Sequence, residues 1–347
     1  YKGHYEGIYC WGCEEFKTEK QLVDGKCPEH RPDQIEYKKE ENYFFKISKY
    51  IPEVERLMES GELPVEPENK RNEMLARIKD GVDDTSISRS ELEWGIPLPW
   101  DNSQVTYVWI EALMNYYSAT HIWDKRAFWP ANVHVLGKGN NWFHSVVWPA
   151  LLLALDLPLP KRIYVHGYYN VGGQKMGKSL GNVISPQELV DKYGVDGTRY
   201  LLAASMPYKD DSDVTFEWFD KKYNADLANG LGNLVSRVAR LLESPLDPVE
   251  FATVINANPS IKEGYDNYRL HDVVVEVQKL VKEVDEYFSL NEPWKKDDRE
   301  KNEIVNKAAK KVLEISSLIG PIIPETAKTI VNTIKNPSKS KPLFKRI

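Results

Sequence analysis

Four residues near the start of the sequence have the types and spacing of metal ligands. Cys10-Trp-Gly-Cys13 and Cys27-Pro-Glu-His30 read as C-x2-C followed, after thirteen intervening residues, by C-x2-H. Two close pairs of soft or borderline donors suit tetrahedral Zn2+, and Gly12 and Pro28 are turn residues that could bend each pair around one ion. All three cysteines of the chain lie here. A closed set of four ligands leaves no open coordination position, so the site reads as structural rather than catalytic. The plainer alternative is three buried thiols and an exposed histidine.

A second stretch, "GGQKMGKS" at 172–179, has the literal form G-x-x-x-x-G-K-[ST] of a phosphate-cradling P-loop. That loop needs a helix directly behind it, because the first amides of the helix face the phosphates. Gly181 and Pro186 stand against a helix before about residue 186, and Ser185 suits the cap of one that starts there. No apolar strand downstream ends in the metal-holding aspartate that P-loop phosphoryl transfer uses. What survives is a pair of lysines, Lys175 and Lys178, on a glycine-flanked loop after a hairpin. They could neutralise phosphate charge that develops during nucleotide chemistry. Solvated loop lysines are the rival reading.

The elements that must position these groups can be read in outline. The chain has 347 residues, 41% of them hydrophobic and 28% charged, with a formal charge of −6. That is the profile of a soluble protein with room for two or three domains, and an acidic balance argues against indiscriminate nucleic-acid binding. The longest apolar run, "WPALLLALDLPLP", is cut by Asp156 and prolines and is too short for a bilayer. No basic-then-apolar leader opens the chain, so a cytoplasmic protein without a membrane partner is expected. Residues 1–45 form a knuckle region. A helical pattern (Ile51, Val54, Leu57, Met58), a Pro-rich linker at 64–67 and a helix near 69–79 follow. From 104 to 206 strand-like and helix-like stretches alternate: "QVTYVWIEALMNYYS" runs from strand into helix, "ANVHVLG" reads as a buried strand, and "WFHSVVWPALLLAL" as a helix. "KRIYVHGYYNV" reads as one more strand, turning at Gly172-Gly173. Alternation of this kind predicts an α/β domain with a largely parallel sheet. Beyond about residue 225, apolar residues recur at helical spacing (Leu227, Leu231, Leu234, Val238, Leu241; Val273, Val277, Leu280, Val284; Ala308, Val312, Ile315, Ile319), which predicts an all-α bundle.

The stretch "HGYYNVGGQKMGKSLGNVISP" resembles the second signature of class I aminoacyl-tRNA synthetases, usually Lys-Met-Ser-Lys-Ser, and in particular that of the methionyl-tRNA synthetases. "YKGHYEGIYCWGCEEF", "EENYFFKISKY", "SISRSELEWGIPLPWD", "YVWIEALMNY", "NADLANGLGNL" and "NEPW" are similar to segments of the same family, in the same order. The resemblance implies a Rossmann-like catalytic domain with a zinc-knuckle insertion, followed by an anticodon-binding helical bundle. The implied boundaries are 1–45 for the knuckle, 46–206 for the second half of the catalytic domain, 207–224 for a linking segment and 225–347 for the bundle. It implies activation of methionine by ATP, with Mg2+, and transfer to the methionine tRNA. Lys178, assisted by Lys175, would stabilise the leaving pyrophosphate.

Carried residue by residue, the resemblance assigns Gly137, Lys138, His166, Gly167, Met176, Ser179 and Arg89 to ATP. For Arg89 a surface salt bridge is an equal rival. It assigns Trp109, Ala112, Tyr116, Phe143, His144 and Trp148 to the methionine side chain, whose polarizable thioether packs well against aromatic edges; without the resemblance such an aromatic stripe reads as core. Asn229, Asn233 and Arg237, one polar column on a helix, would read the anticodon with Pro293 and Trp294; such a column is otherwise a wet face. The family's first signature has no counterpart here, so an N-terminally incomplete catalytic domain is expected, and a non-catalytic tRNA-binding relative is the alternative. Gly177 replaces the signature's serine, Glu111 stands where aspartate is usual, and Gly139 and Asn140 replace a carboxylate and an apolar residue. The amide of Asn140 must find a partner or face solvent.

Overall fold

Strand formers dominate the first 45 positions, and they pair with one another. In the computed structural model, which describes residues 1–347 apart from 14, 18–21, 29–30, 178–179, 207, 209, 338–341 and the side chains of Tyr5, Glu15 and Phe16, strand β1 (Lys2–Cys10) is flanked by β2 (Glu15–Lys17) and β3 (Ile35–Phe45). Both pairings are antiparallel, and the long ladder runs from Lys2 opposite Tyr43 to Cys10 opposite Ile35. Helix α1 (Ile51–Ser60) buries Ile51, Val54, Leu57 and Met58 on one stripe, and α2 (Glu68–Lys79) buries Met74 and Ile78. The Pro-rich stretch between them is not only a linker: it carries a short strand, β4 (Val65–Glu66).

Strands β5 (Thr85–Ser86), β6 (Ser88–Arg89), β7 (Pro97–Leu98) and β8 (Asp101–Thr106) lead into helix α3 (Val108–Ile122). Strand β9 (His134–Gly137) buries His134 and Leu136 but leaves Val135 exposed. The following helix opens as a π-helical segment, Phe143–Val147, and continues as α4 (Trp148–Ala154). Pro149 explains the wide turn: its ring would clash with the carbonyl four residues back in a regular α-helix. Strand β10 (Ile163–His166) lies between β4, to which it is parallel, and β9. Instead of the single largely parallel sheet predicted from alternation, the described strands form four small sheets, with parallel pairing at β4–β10 and again at the β11–β13 pair described next. Two compact units divide at Val165/His166. The core of the first is built on Val54, Met58, Leu113, Val146, Trp148, Leu152 and Ile163.

In the second unit, the expected continuous strand "KRIYVHGYYNV" is broken at Gly167-Tyr168. A Cβ on Gly167 would lie 2.4 Å from the Asp210 carbonyl oxygen, so only glycine allows this backbone approach. The chain then forms β11 (Tyr169–Val171) and β12 (Gln174–Lys175), a hairpin whose turn residues Gly172 and Gly173 have φ of +60° and +78°. Two positive φ values in a two-residue loop match the hairpin twist. Helix α5 (Pro186–Ala204) starts where Pro186 predicts, with Ser185 and Glu188 forming a reciprocal capping box. No helix occupies 181–185, which removes the P-loop reading among the described residues.

Strand β13 (Ser212–Asp213) pairs parallel with β11, and helix α6 (Phe216–Lys222) runs through a π-helical segment, Tyr223–Leu231, into α7 (Gly232–Leu241). The glycines of "NGLG" permit the wide turns. A Cβ on Gly230 would lie 3.0 Å from the Ala225 carbonyl oxygen, and one on Gly232 would lie 2.8 Å from that of Leu227, each five residues back. Helices α8 (Phe251–Asn256), α9 (Pro259–Asp266), α10 (Leu270–Leu290), α11 (Asp298–Ile319) and α12 (Pro324–Lys335) complete the bundle. The three apolar repeats read from the sequence all face its core. Leu234 is wholly buried there, and Leu234→Ala is expected to lower unfolding stability in urea by about 3 kcal/mol. Arg240→Ala on the exposed face of α7 is expected to change it by less than about 0.5 kcal/mol.

Candidate functional site

Strand β8 delivers the chain into α3 with Trp109, Ala112 and Tyr116 on one face at helical spacing. The π-helical segment brings Phe143 and His144 against them, and α4 contributes Trp148. Trp109 stacks on Phe143 with ring centroids 4.1 Å apart and planes 8° from parallel. The Tyr116 hydroxyl lies 2.9 Å from His144 Nε2, and His144 Nδ1 lies 3.0 Å from the Asn140 carbonyl oxygen. A carbonyl only accepts, so Nδ1 carries the proton; neutral Nε2 then accepts from Tyr116. Five of the six residues expected around an apolar side chain are therefore in direct ring or hydrogen-bond contact, with Ala112 leaving space on the same helix face. Trp148 is wholly buried in the core of this unit.

His134 belongs to the same cluster, and nothing in its sequence spacing marked it. It accepts a hydrogen bond from Trp148 Nε1 at 3.3 Å, and its ring lies 4.4 Å from Tyr116. Burial, aided by the nearby His144, pushes its pKa down to about 4, and burial also lowers that of His144. Both rings are therefore uncharged at neutral pH, and the cluster presents polarizable faces without a formal charge. Glu111, on α3, keeps Oε2 buried with no hydrogen-bond partner among the described residues. Gly139 and Asn140 are exposed, so the Asn140 side chain takes the solvent-facing alternative. Gly137 ends β9 and Lys138 begins a short 3-10 turn.

Arg89 is not on the surface. It is 5% exposed, donates to Ser86 Oγ at 3.0 Å and the Ser88 carbonyl at 2.9 Å, and lies 3.9 Å above the Tyr107 ring. No carboxylate among the described residues pairs with it, which removes the salt-bridge reading. A buried guanidinium with a cation–π partner and no counter-ion is suited to hold an anionic ligand group.

In the second unit, His166 Nδ1 lies 2.7 Å from the Gly167 carbonyl oxygen, which only accepts, so Nδ1 donates there. The lysine loop is held by contacts that spacing did not reveal. Asp213 Oδ1 accepts from Gly173 N–H at 2.9 Å, Asn182 Oδ1 accepts from Gly177 N–H at 2.9 Å, and Asn182 Nδ2 donates to the Lys175 carbonyl at 3.1 Å. Gly177 thus lacks the serine hydroxyl but has its backbone amide fastened. Lys175 is exposed, with Nζ 5.2 Å from the Tyr168 ring centroid, and Met176 is half-buried. Lys178 and Ser179 lie outside the described residues.

On the bundle, Asn229 and Asn233 are exposed and Arg237 follows them on the same column. Arg237 pairs with Asp285 at 2.5 Å, donates to Ser289 Oγ at 3.1 Å, and lies 5.9 Å from the ring of Trp294. Trp294 is half exposed, whereas Pro293 is buried. The structure therefore brings Arg237 and Trp294, distant in sequence, to one surface.

Cys10, Cys13 and Cys27 place their sulfurs within 4.8 Å of one another, with Cys13 and Cys27 at 3.6 Å. Tetrahedral thiolates on one Zn2+ would be about 3.8 Å apart, given Zn–S bonds near 2.3 Å. Burial, with the neighbouring thiols, pushes the Cys13 pKa up to about 12 despite the opposing effect of Lys17. Without a cation the Cys13 sulfur stays protonated and inert. His30 lies outside the described residues.

The titration of His134 generates a prediction. Its folded pKa is about 4 against 6.5 for the free group, so the unfolded chain takes the proton first as pH falls. Stability of the first unit should be undiminished above pH 6.5 and fall progressively toward pH 4, by about 3 kcal/mol in all for this group. Glutamine retains an acceptor for Trp148 and does not titrate. Urea unfolding of His134→Gln at pH 7 and pH 5 should show a smaller loss than the parent; an equal loss would assign the slope to other groups.

Comparison with known proteins gives the family of the chain. The family model described as tRNA synthetases class I (M) matches residues 6–239, and that of the anticodon-binding domain of tRNA ligase matches 254–342. The Methionine--tRNA ligase of Caldanaerobacter subterraneus subsp. tengcongensis is 40% identical, over 94% of this chain and 55% of its own length. That of Thermotoga maritima is 34% identical, over 98% of this chain and 58% of its own. The chain spans about half the length of these curated relatives. The crystal structure of Mycobacterium tuberculosis methionyl-tRNA synthetase bound by methionyl-adenylate superposes with a TM-score of 0.86 at 28% identity, covering 99% of this chain and 77% of that one. An α/β catalytic part bearing a cysteine cluster, a following helical bundle, and a family model spanning both compact units together establish that the chain belongs to the class I tRNA synthetases (M).

Proposed function

We propose that this chain takes part in the ATP-dependent activation of methionine and its transfer to the methionine-accepting tRNA. The observation that carries this reading is the 40% identity to a Methionine--tRNA ligase along 94% of the chain. The methionine carboxylate attacks the α-phosphate of ATP and pyrophosphate leaves with the bridging oxygen. A ribose hydroxyl of the terminal adenosine of the tRNA then attacks the acyl carbon, and AMP leaves. Such chemistry needs positioning and charge stabilisation more than a covalent nucleophile.

In this reading Trp109, Ala112, Tyr116, Phe143, His144 and Trp148 enclose the thioether. Because Tyr116 and His144 satisfy each other and both imidazoles are neutral, the pocket offers nothing to a charged side chain and favours an apolar, polarizable one. The same reading gives Arg89, Gly137, Lys138, His166, Gly167, Met176 and Ser179 to ATP, which binds with Mg2+. Lys178, with Lys175, neutralises the departing pyrophosphate, and Asn182 fastens the backbone of Lys175 and Gly177. Asn229, Asn233, Arg237 and Trp294 contact the anticodon, where an exposed indole can stack on an unpaired base, while Pro293, expected to join them, is buried beside Trp294 in the same turn. We retain 46–206 as one catalytic domain, with 1–45 as its knuckle, 207–224 as linker and 225–347 as the anticodon domain, because the family match runs from 6 to 239 across the division into units. No helix of the described residues is long and apolar enough to cross a membrane.

Cys10, Cys13 and Cys27, with His30 as fourth donor, would hold Zn2+. The ion would take the three sulfurs as ligands and tie the β1–β2 turn to the loop before β3. We expect one Zn2+ per chain by elemental analysis. Chelation should lower the melting temperature of the first unit, and Cys13→Ser should abolish that zinc; an unchanged melt with metal-free protein would refute a structural ion.

The activity is tested by methionine-dependent ATP–pyrophosphate exchange with this protein. Exchange is expected, with Lys178→Ala slowing it about 10²–10³-fold. Tight binding of methionine tRNA without any exchange would instead favour a non-catalytic tRNA-binding relative.

A further inference from the structure

In the polar column on the bundle, the amide of Asn229 is oriented by the segment that ends in Ile347. Arg346 Nε donates to Asn229 Oδ1 at 2.8 Å. The segment that carries Arg346 is fastened to the same helix on both sides. Ile347 N–H donates to Asn224 Oδ1 at 3.0 Å, and Asn224 Nδ2 returns a bond to the Ile347 carbonyl at 2.9 Å. Phe344 meets the Tyr223 ring edge-on at 5.8 Å and fills the space beside Gly232, 3.3 Å from where a Cβ would stand. These attachments hold Arg346 over the π-helical turn that carries Asn229.

A guanidinium has donors and no acceptor, so the Asn229 amide must turn its oxygen toward Arg346 and its NH2 group away. We propose that Arg346 is a positioning residue for RNA recognition: it locks Asn229 as a hydrogen-bond donor toward an acceptor atom on an unpaired base. An unheld amide can rotate to offer either its oxygen or its NH2, and so discriminates poorly between a base edge that accepts and one that donates. Held by Arg346, it offers donors alone. Asn233, four residues on, is exposed and has no such partner among the described residues. Arg237 differs again, since its guanidinium is ion-paired to Asp285. The inference rests on the anticodon reading above.

The test is a binding cycle with the full chain, a hairpin RNA bearing the methionine anticodon CAU, and hairpins with one anticodon base changed. Arg346→Ala should weaken cognate binding about fivefold and flatten discrimination at one anticodon position. The double variant Arg346→Ala/Asn229→Ala should bind no more weakly than Asn229→Ala alone, because one residue acts through the other. Arg346→Met retains the packed stem without a donor and should match the alanine variant, so any loosening of the segment by truncation is separated from loss of the hydrogen bond. Additive losses overturn the proposal, as does a uniform loss on all hairpins with a shallower salt dependence, the mark of a phosphate contact. If Asn233→Ala and Trp294→Ala bind the cognate hairpin as tightly as the parent, the anticodon reading itself fails. If they weaken it while both Arg346 variants do not, only the role of Arg346 fails.

Discussion

What the helical unit can present to a partner depends on one wide stretch of helix. Between Tyr223 and Leu231 the backbone adopts π-helical turns, and the carbonyls of Ala225 and Leu227 crowd the positions where Gly230 and Gly232 would carry side chains. Larger residues there would force the helix back toward α geometry. The insertion of a wide turn rotates everything before it relative to everything after it. Leu227 and Leu231 still face the same core as Leu234 and Val238, and Asn229, Asn233 and Arg237 share a column on the opposite side. A local backbone choice, allowed by two glycines, aligns an apolar stripe and a polar one at once.

The first unit solves a different problem, which is to bury aromatic and imidazole groups without leaving a charge behind. His144 donates to a carbonyl and accepts from Tyr116; His134 accepts from Trp148. Each ring is satisfied in its neutral form, and burial lowers both pKa values accordingly. Protonation would place a cation among Trp109, Phe143 and Trp148, so the cluster's packing and the protonation state of its histidines are one constraint. Arg89 is the counter-case: its charge is permanent, and the Tyr107 face with two neutral acceptors stands in for a missing carboxylate.

The lysine loop shows how a flexible-looking sequence is restrained. Gly172, Gly173 and Gly177 remove steric limits, yet Asp213 and Asn182 each take up a backbone amide in that stretch, and Asn182 also reaches the carbonyl of Lys175. The hairpin is held at its turn and again at its exit, so its backbone is fixed while the Lys175 side chain stays exposed.

Much of this was legible from residue order. Helical spacing of leucines and valines found the bundle; Pro186 with Ser185 marked where α5 begins; cysteine spacing found the cluster whose sulfurs lie within 4.8 Å. These are local signals, fixed by period, capping chemistry and ligand spacing. Three features were not local, and only the tertiary structure decided them. The strand through "KRIYVHGYYNV" breaks because the Asp210 carbonyl, more than forty residues on, packs against Gly167. Arg89 proves buried rather than salt-bridged because β8 and Tyr107 cover it. His134, Asn182 and Arg346 gain their roles from partners whose approach no spacing rule describes. The sequence by itself determined which stretches are helix or strand and which residue types could do chemistry, because those follow from neighbours along the chain. Which of them meet, and in what protonation state and orientation, depends on groups brought together from distant positions, and that was settled only by packing.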